Sequence, residues 1–318
     1  MVTKREMILG GLWGAVVGDA LGVPVEFQSR DSLRADPVTD MRGYGTHGQP
    51  PGTWSDDSSL MLCTVEGLKE GFFPWVLAEL FVRWRYEAHW TPWGKVFDIG
   101  ATTMQAIKRL KEGAPAFRAG LTDDFSNGNG SLMRILPVAI KFAGSTAEEM
   151  IDFAHRSSAL THRHTRSQMA CGLYCLVARA LLDGHRPSEA YEFAAKQGRW
   201  LYRDQRFATE ITNFQRVLSG EIARLSENDV KSSGYVVHTL EASIWCLLNT
   251  GSFPEAVLKG VNLGDDTDTT GIAIGGLAGL YYGVDAIPEE WLGQLARRED
   301  IAELFDDFTL KSGVIIGH

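Results

Sequence analysis

The chain has 318 residues, 44% hydrophobic and 22% charged, a balance that suits a globular protein and excludes a disordered or fibrous one. A formal net charge of −9 argues against a general nucleic-acid surface. Four scattered cysteines, Cys63, Cys171, Cys175 and Cys246, form no framework spacing, which predicts a reducing, cytoplasmic setting.

In chain order, "TKREMILGGLWGAVVG" joins basic residues to an apolar stretch. Asp19 follows where a signal peptide would place its cleavage site, so residues 8–22 read as a helix that leads to Glu26 in "GVPVEF". "GTWSDDSSLMLCTVEGL" then sets an acidic island before a helix. Ser55 is expected to cap it, with Asp56 and Asp57 in the first turn, where free N–H groups and the helix dipole favour them. "PWVLAELFVRWRYEA" and "IGATTMQAIKRLKEG" have helical spacing. Between them "WTPWGKVFDIG" brings Asp98 and Gly100 to a helix start, near Trp90, Trp93 and Phe97.

"DDFSNGNGSLMRILPVAI" is expected to pass from a Gly/Asn loop directly into a helix, offering backbone N–H groups to an anion. It is neither a Walker A loop nor a GxGxxG fingerprint. After the helix "STAEEMIDFAHRSSAL", "LTHRHTRSQ" places His162 and His164 at the entry of the next helix, "SQMACGLYCLVARALLDG", with Gly184 as its stop. Cys171 and Cys175 lie on that apolar helix and read as core rather than zinc ligands. "PSEAYEFAAKQGRWLY", "EASIWCLLNTG" and "FPEAVLKGV" are further helices.

A second acidic island follows, "NLGDDTDTTG", and then the apolar "IAIGGLAGLYYG". Thr267 or Asp268 is a candidate cap for that last helix. The run Gly271–Val284 is the longest apolar one and falls short of the roughly 20 residues of a membrane span. The terminal "SGVIIGH" is the one strand-like run. Without a linker or fixed-period repeat, the expectation is one all-α domain over residues 1–318, its glycine-rich end helices (8–22 and 271–283) packed together at the centre. The absence of a sustained heptad predicts a monomer.

Each acidic island alone is acceptable capping chemistry. If their mouths meet, Asp56, Asp57, Asp266 and Asp268 form a ring of hard oxygen ligands that repels itself unless it holds Mg²⁺, Mn²⁺ or Ca²⁺. An EF-hand is excluded: counting from Asp266, the twelfth position is Leu277, where a bidentate glutamate belongs.

Taken together, "GGLWGAVVGDALGVPVEF", "WSDDSSLML", "FDIGATTMQAI", "GNGSLMRILPVAI", "LTHRHTRS" and "AVLKGVNLGDDTDTTGIAIGGLAGLYYG" resemble the ADP-ribosylglycohydrolase family in its order, over about residues 8–283. The resemblance implies an all-α fold with two divalent cations, Mg²⁺ or Mn²⁺, at the base of a cleft. It implies Ser55, Asp56, Asp57, Asp266, Asp268 and Thr269 as metal ligands, with Glu26 beside them. Asn127, Gly128, Asn129, Gly130 and Ser131 would cradle a diphosphate. His162 would contact substrate, Asp98 would face the scissile bond, and Tyr235 would lie near the adenosine. The chain departs from the family pattern at Ser55 (threonine is common), at Asp265 (glycine is common) and in "THRHT", which lacks a proline and leaves the role of His164 open.

The implied reaction is metal-dependent hydrolysis of the glycosidic bond in an ADP-ribosylated protein, with Glu26 or a ligand aspartate such as Asp57 activating water. Asp98 could pair with a guanidinium, which favours arginine as acceptor. The alternatives are a hydrolase of a small ADP-ribose conjugate and a silent, crystallin-like relative that only binds ADP-ribose.

Overall fold

The computed structural model describes residues 2–313 and consists of helices joined by turns. Among the described residues, β pairing is confined to three isolated bridges, Tyr44–Gln49, Leu121–His162 and Gly128–Tyr235. The fold is all-α, as the periodicity indicates. Residues 314–318 of the strand-like run lie outside the described residues, and Ser312–Gly313 form a turn and bend.

Two glycine helices, Lys4–Gly22 and Thr267–Tyr282, form the centre. A Cβ at Gly10, Gly14 or Gly18 would overlap the backbone carbonyl of Gly279, Gly275 or Gly271 respectively, so the backbones touch along both helices. The pair is antiparallel: Thr267 Oγ1 at the start of the second helix donates to the Gly22 carbonyl at the end of the first (2.8 Å). Segment Lys4–Val25 contains an 18-residue stretch apolar enough to cross a membrane, with mean hydropathy 1.6, yet from Met7 onward the segment is enclosed within the molecule. It is apolar all round because neighbours cover every face. A continuous apolar cluster surrounds the pair, from Met7 to Phe308.

The remaining expected helices form at Asp56–Leu68, Pro74–Glu87, Ala101–Lys111, Ala147–Ser158, Thr165–Leu182, Pro187–Leu201, Val236–Leu248 and Phe253–Val261. Gly184 follows the Thr165–Leu182 helix at φ 87°, the left-handed stop that glycine tolerates.

One local expectation is corrected. The Gly/Asn loop does not run directly into a helix: residues 130–134 are turns, and the next helix, Leu136–Lys141, is six residues long with Pro137 in its first turn. Pairing with the chain before the Val236–Leu248 helix holds the loop instead, through Asn129 N to Gly234 O (3.1 Å) and Val236 N to Asn127 O (3.2 Å).

Candidate metal and substrate site

The close of the two glycine helices fixes where the acidic islands meet. Asp19, fully buried near the end of the first, accepts from Ser55 N (3.0 Å) and Ser58 N (2.9 Å) and so anchors the start of helix Asp56–Leu68. Ser55 is that helix's N-cap, as expected, its Oγ accepting from Asp57 N at 3.2 Å. Because Asp19 and Ser55 satisfy the helix mouth, the Asp56 and Asp57 carboxylates are not needed as caps, and Asp57 Oδ2 is buried without a partner.

At the second island the cap expectation fails. Asp266 occupies the N-cap position of Thr267–Tyr282 without a side-chain cap bond, and Thr267 bonds Gly22 instead. Asp268 Oδ1 accepts from Thr269 N (2.8 Å), whereas Asp268 Oδ2 and Asp266 Oδ1 are buried and unpartnered. Asp266 Oδ2 takes the Asn129 amide at 2.9 Å.

The islands converge with a third acidic stretch. Glu26, Asp266 and Asp268 each bring a carboxylate oxygen within 4.8 Å of the others, and Glu26, His47 and Asp98 form a second such trio. His47 Nε2 lies 2.5 Å from Glu26 Oε2 and 3.9 Å from Asp98 Oδ1. Burial, then the charge of Asp266, pushes Glu26 up to about 8. Burial, then Glu26, raises Asp98 to about 7, and burial alone lifts Asp19 to about 6. Burial drives Asp56, Asp57 and Asp268 well above the carboxylate range, helped next by the charge of Asp98 on Asp56, of Asp56 on Asp57 and of Asp57 on Asp268. Among the described residues no lysine or arginine forms an ion pair with any of them.

Buried carboxylates that repel one another, with three oxygens lacking any partner, are expensive unless a cation neutralises them. The donors are all hard oxygens, which suits Mg²⁺ or Mn²⁺ and not a soft metal. The residues therefore fit a divalent metal centre.

Above this floor opens a cavity of about 400 Å³. Its walls include Glu26, Asp56, Asp57, Asp98, Gly128, Asn129, Gly130, His162, Asp266 and Thr269. Phe27 and Asp98, both at its edge, hold left-handed backbone (φ 64° and 56°), uncommon for side-chain-bearing residues and frequent at functional sites. Gly130 is required for space, since a Cβ there would come within 2.7 Å of His162 Cε1. A larger cavity of about 710 Å³ lies at the opposite end of the glycine helices. Four charges on its wall form two ion pairs, Arg5 with Asp306 and Arg298 with Glu289.

Several expected site residues do not line the 400 Å³ cavity. Asn127 Nδ2 turns back to Asp124 O, and Ser131 is buried against Ser158 and Cys171. Tyr235 sits outside the wall with its ring 5.4 Å from the Arg166 guanidinium; Gly234 lines the cavity in its place. Ser55 and Asp268 lie beneath the wall, both almost fully buried. His164 is the N-cap of Thr165–Leu182, its Nδ1 accepting from Arg166 N at 3.1 Å, and it is absent from the cavity wall. Asp265 is exposed, and its backbone pairs with Phe27 and Gln28, fastening the segment after Glu26.

Two residues at the site escaped sequence reasoning. His47 sits in the glycine-rich "GYGTHGQPPG", where its spacing to any acid carries no signal. Asp19 had a signal that was available: a carboxylate inside an otherwise apolar helix needs a buried partner.

With the geometry in place, comparison with known proteins is informative. A family model described as ADP-ribosylglycohydrolase matches residues 1–314. The ADP-ribosylarginine hydrolase Tri1 of Serratia proteamaculans is 34% identical, over 93% of this chain and 76% of its own length. The ADP-ribosyl-[dinitrogen reductase] glycohydrolase of Rhodospirillum rubrum is 29% identical, over 92% and 90%. A solved structure titled "ADP-ribosylglycohydrolase-related protein complex" superposes with a TM-score of 0.82 at 30% identity, covering 97% of this chain and 99% of that one. The chain belongs to the ADP-ribosylglycohydrolase family and is an ADP-ribosyl glycohydrolase.

Proposed function

We propose that the chain releases ADP-ribose from an arginine side chain of a modified protein, and that it needs divalent cations, Mg²⁺ or Mn²⁺, to do so. The observation that carries the metal requirement is the set of three partnerless carboxylate oxygens on Asp57, Asp266 and Asp268 under the cavity. The arginine linkage is supported by relatives named ADP-ribosylarginine hydrolase and by an acid, Asp98, at the cavity edge.

Asp56, Asp57, Asp266 and Asp268, with the hydroxyls of Ser55 and Thr269, would hold two cations. Bound there, the cations would supply charge that orients ribose hydroxyls and makes a water more acidic. Glu26 would take the proton of the attacking water at Oε1 or Oε2, with His47 holding the carboxylate in place. Asp98 would hydrogen-bond the guanidinium before cleavage and return a proton to the departing nitrogen. Gly128 and Gly130, free of side chains, would let the diphosphate approach the backbone. The Asn129 amide is occupied by Thr239 Oγ1 (2.8 Å) and Asp266, so its part is to brace the loop against the acidic floor.

The test is ADP-ribose release from matched ADP-ribosyl-arginine and ADP-ribosyl-serine peptides, with Mg²⁺, with Mn²⁺ and after EDTA. Arginine peptide is expected to be cleaved at least about tenfold faster, since a lost charged pairing at Asp98 is worth that much. EDTA is expected to stop both. Preference for serine would refute the linkage, and release that ignores EDTA would refute the metal requirement.

A further inference from the structure

Arg134 is a buried cation without a carboxylate. It has no exposed surface, stacks on Phe81 (4.7 Å to the ring centre) and forms no ion pair among the described residues. An unpaired buried charge costs stability where it stands, so packing alone does not account for it. Its guanidinium donates to Ser157 Oγ (3.3 Å), to Ser157 O (3.2 Å) and to Thr161 Oγ1 (2.8 Å).

The last of these bonds bears on a proton position elsewhere. Arginine can only donate, so Thr161 Oγ1 accepts from Arg134. The threonine hydroxyl then has one proton of its own to place. Its other hydrogen-bond neighbour among the described residues is His162 Nδ1, at 2.9 Å. Donating there requires Nδ1 to be bare, and a neutral imidazole then carries its proton on Nε2. Burial, helped by the charge of Arg134, drives His162 down to about 3, which keeps the ring neutral.

The Nε2 edge faces the cavity loop. It lies 3.3 Å from where a Cβ on Gly130 would sit and 3.8 Å from one on Gly128, and it has no hydrogen-bond partner among the described residues. The backbone of His162 is pinned as well, N to Ser158 O and O from Ser158 Oγ, both at 2.8 Å. The opposite tautomer would aim a lone pair at the loop and repel an anion.

We propose that Arg134 and Thr161 are positioning residues that lock His162 in its Nε2–H tautomer, making it a neutral hydrogen-bond donor to an anionic oxygen held over Gly128–Gly130. The identity of that oxygen as a diphosphate oxygen rests on the function proposed above; the proton position does not. An arginine keeps its proton across the working pH range, so the lock holds where a second histidine or lysine would release it.

The test combines long-range ¹H–¹⁵N spectra of the full-length, ¹⁵N-histidine-labelled protein with ADP-ribose binding. The His162 signals are assigned by their loss in His162→Gln. Wild type is expected to show a bare Nδ1 and a protonated Nε2. Thr161→Val, close in shape but with no hydroxyl, is expected to populate Nδ1–H and weaken ADP-ribose binding about tenfold, the worth of one charge-assisted hydrogen bond. Thr161→Ser is expected to restore both. A protonated Nδ1 in wild type, or an unchanged tautomer in folded Thr161→Val, overturns the relay. Should Thr161→Val fail to fold, Thr161→Ser must still show the wild-type tautomer, and a protonated Nδ1 there overturns it equally. Wild-type protein that shows the expected tautomer yet binds no ADP-ribose contradicts the functional reading and leaves the proton position intact.

Discussion

Asp57→Asn and Asp268→Asn are expected to lower ADP-ribose release about a thousandfold or more while raising the melting temperature of the metal-stripped protein. The two effects have opposite signs because one carboxylate serves two accounts. With cations bound it is a ligand; without them it is a buried negative charge beside others, its Oδ2 lacking any hydrogen-bond partner. The near-isosteric amide removes the charge and keeps the shape.

The pH dependence follows from linkage. A carboxyl whose folded pKa is raised binds its proton more tightly in the folded state than in the unfolded one. Its penalty is absent below the unfolded value, grows as pH rises and is complete above the folded value. Asp19, Asp98 and Glu26, raised to about 6, 7 and 8, mark that window at this site. Metal-stripped wild type should therefore melt lower at about pH 8 than at about pH 5, and each variant should recover on the order of 2 kcal/mol or more at the higher pH and distinctly less at the lower. Helix caps would behave otherwise: their loss destabilises by about 1 kcal/mol and leaves chemistry largely intact. Scanning calorimetry after EDTA treatment separates the two, and variants that melt below wild type at both pH values would refute the metal reading.

Gly18→Ala is expected to destabilise the protein by about 3 kcal/mol or more, and Gly18→Val to prevent folding. A Cβ at Gly18 would overlap the Gly271 carbonyl and meet Ile272 N at 3.1 Å, all of it backbone that no rotamer change can move. Relief would require the two glycine helices to separate, and the ends of those helices set the distance between Asp19 and the second acidic island. Loss of stability should therefore be accompanied by loss of metal affinity in whatever protein still folds. Gly144→Ala is the control, because nothing lies within 4 Å of its Cβ position. It should stay within about 0.5 kcal/mol of wild type in urea melts. A Gly18→Ala protein that matches Gly144→Ala would show that the central contact is not tight.

The helices were legible in the sequence because most have a buried stripe at helical spacing, and the two end helices because they are apolar and rich in glycine. The meeting of the two islands followed from the contact between those two helices. What the sequence could not show was which carboxylates the helix mouths would consume. Ser55 and Asp19 take that work at Asp56–Leu68, and a backbone carbonyl from the other glycine helix takes Thr267, so Asp57, Asp266 and Asp268 are left with free oxygens. Local capping preference pointed the other way, since it cannot register a partner far along the chain. The Gly/Asn loop was misread for a similar reason: its conformation is set by pairing with Gly234, distant in sequence. Neighbouring His162 and His164 diverged for one physical cause. The first packs inward onto Thr161 and the glycine loop, and the second meets the N–H groups of a helix start.

The measurement that bears most directly on this account is calorimetric titration of Mn²⁺ into EDTA-stripped wild type, Asp57→Asn and Asp268→Asn. Wild type is expected to bind two ions per chain, and each variant to bind them more weakly or to bind fewer. No binding to wild type, or binding that is unchanged in both variants, would mean that the buried acids are not a metal centre.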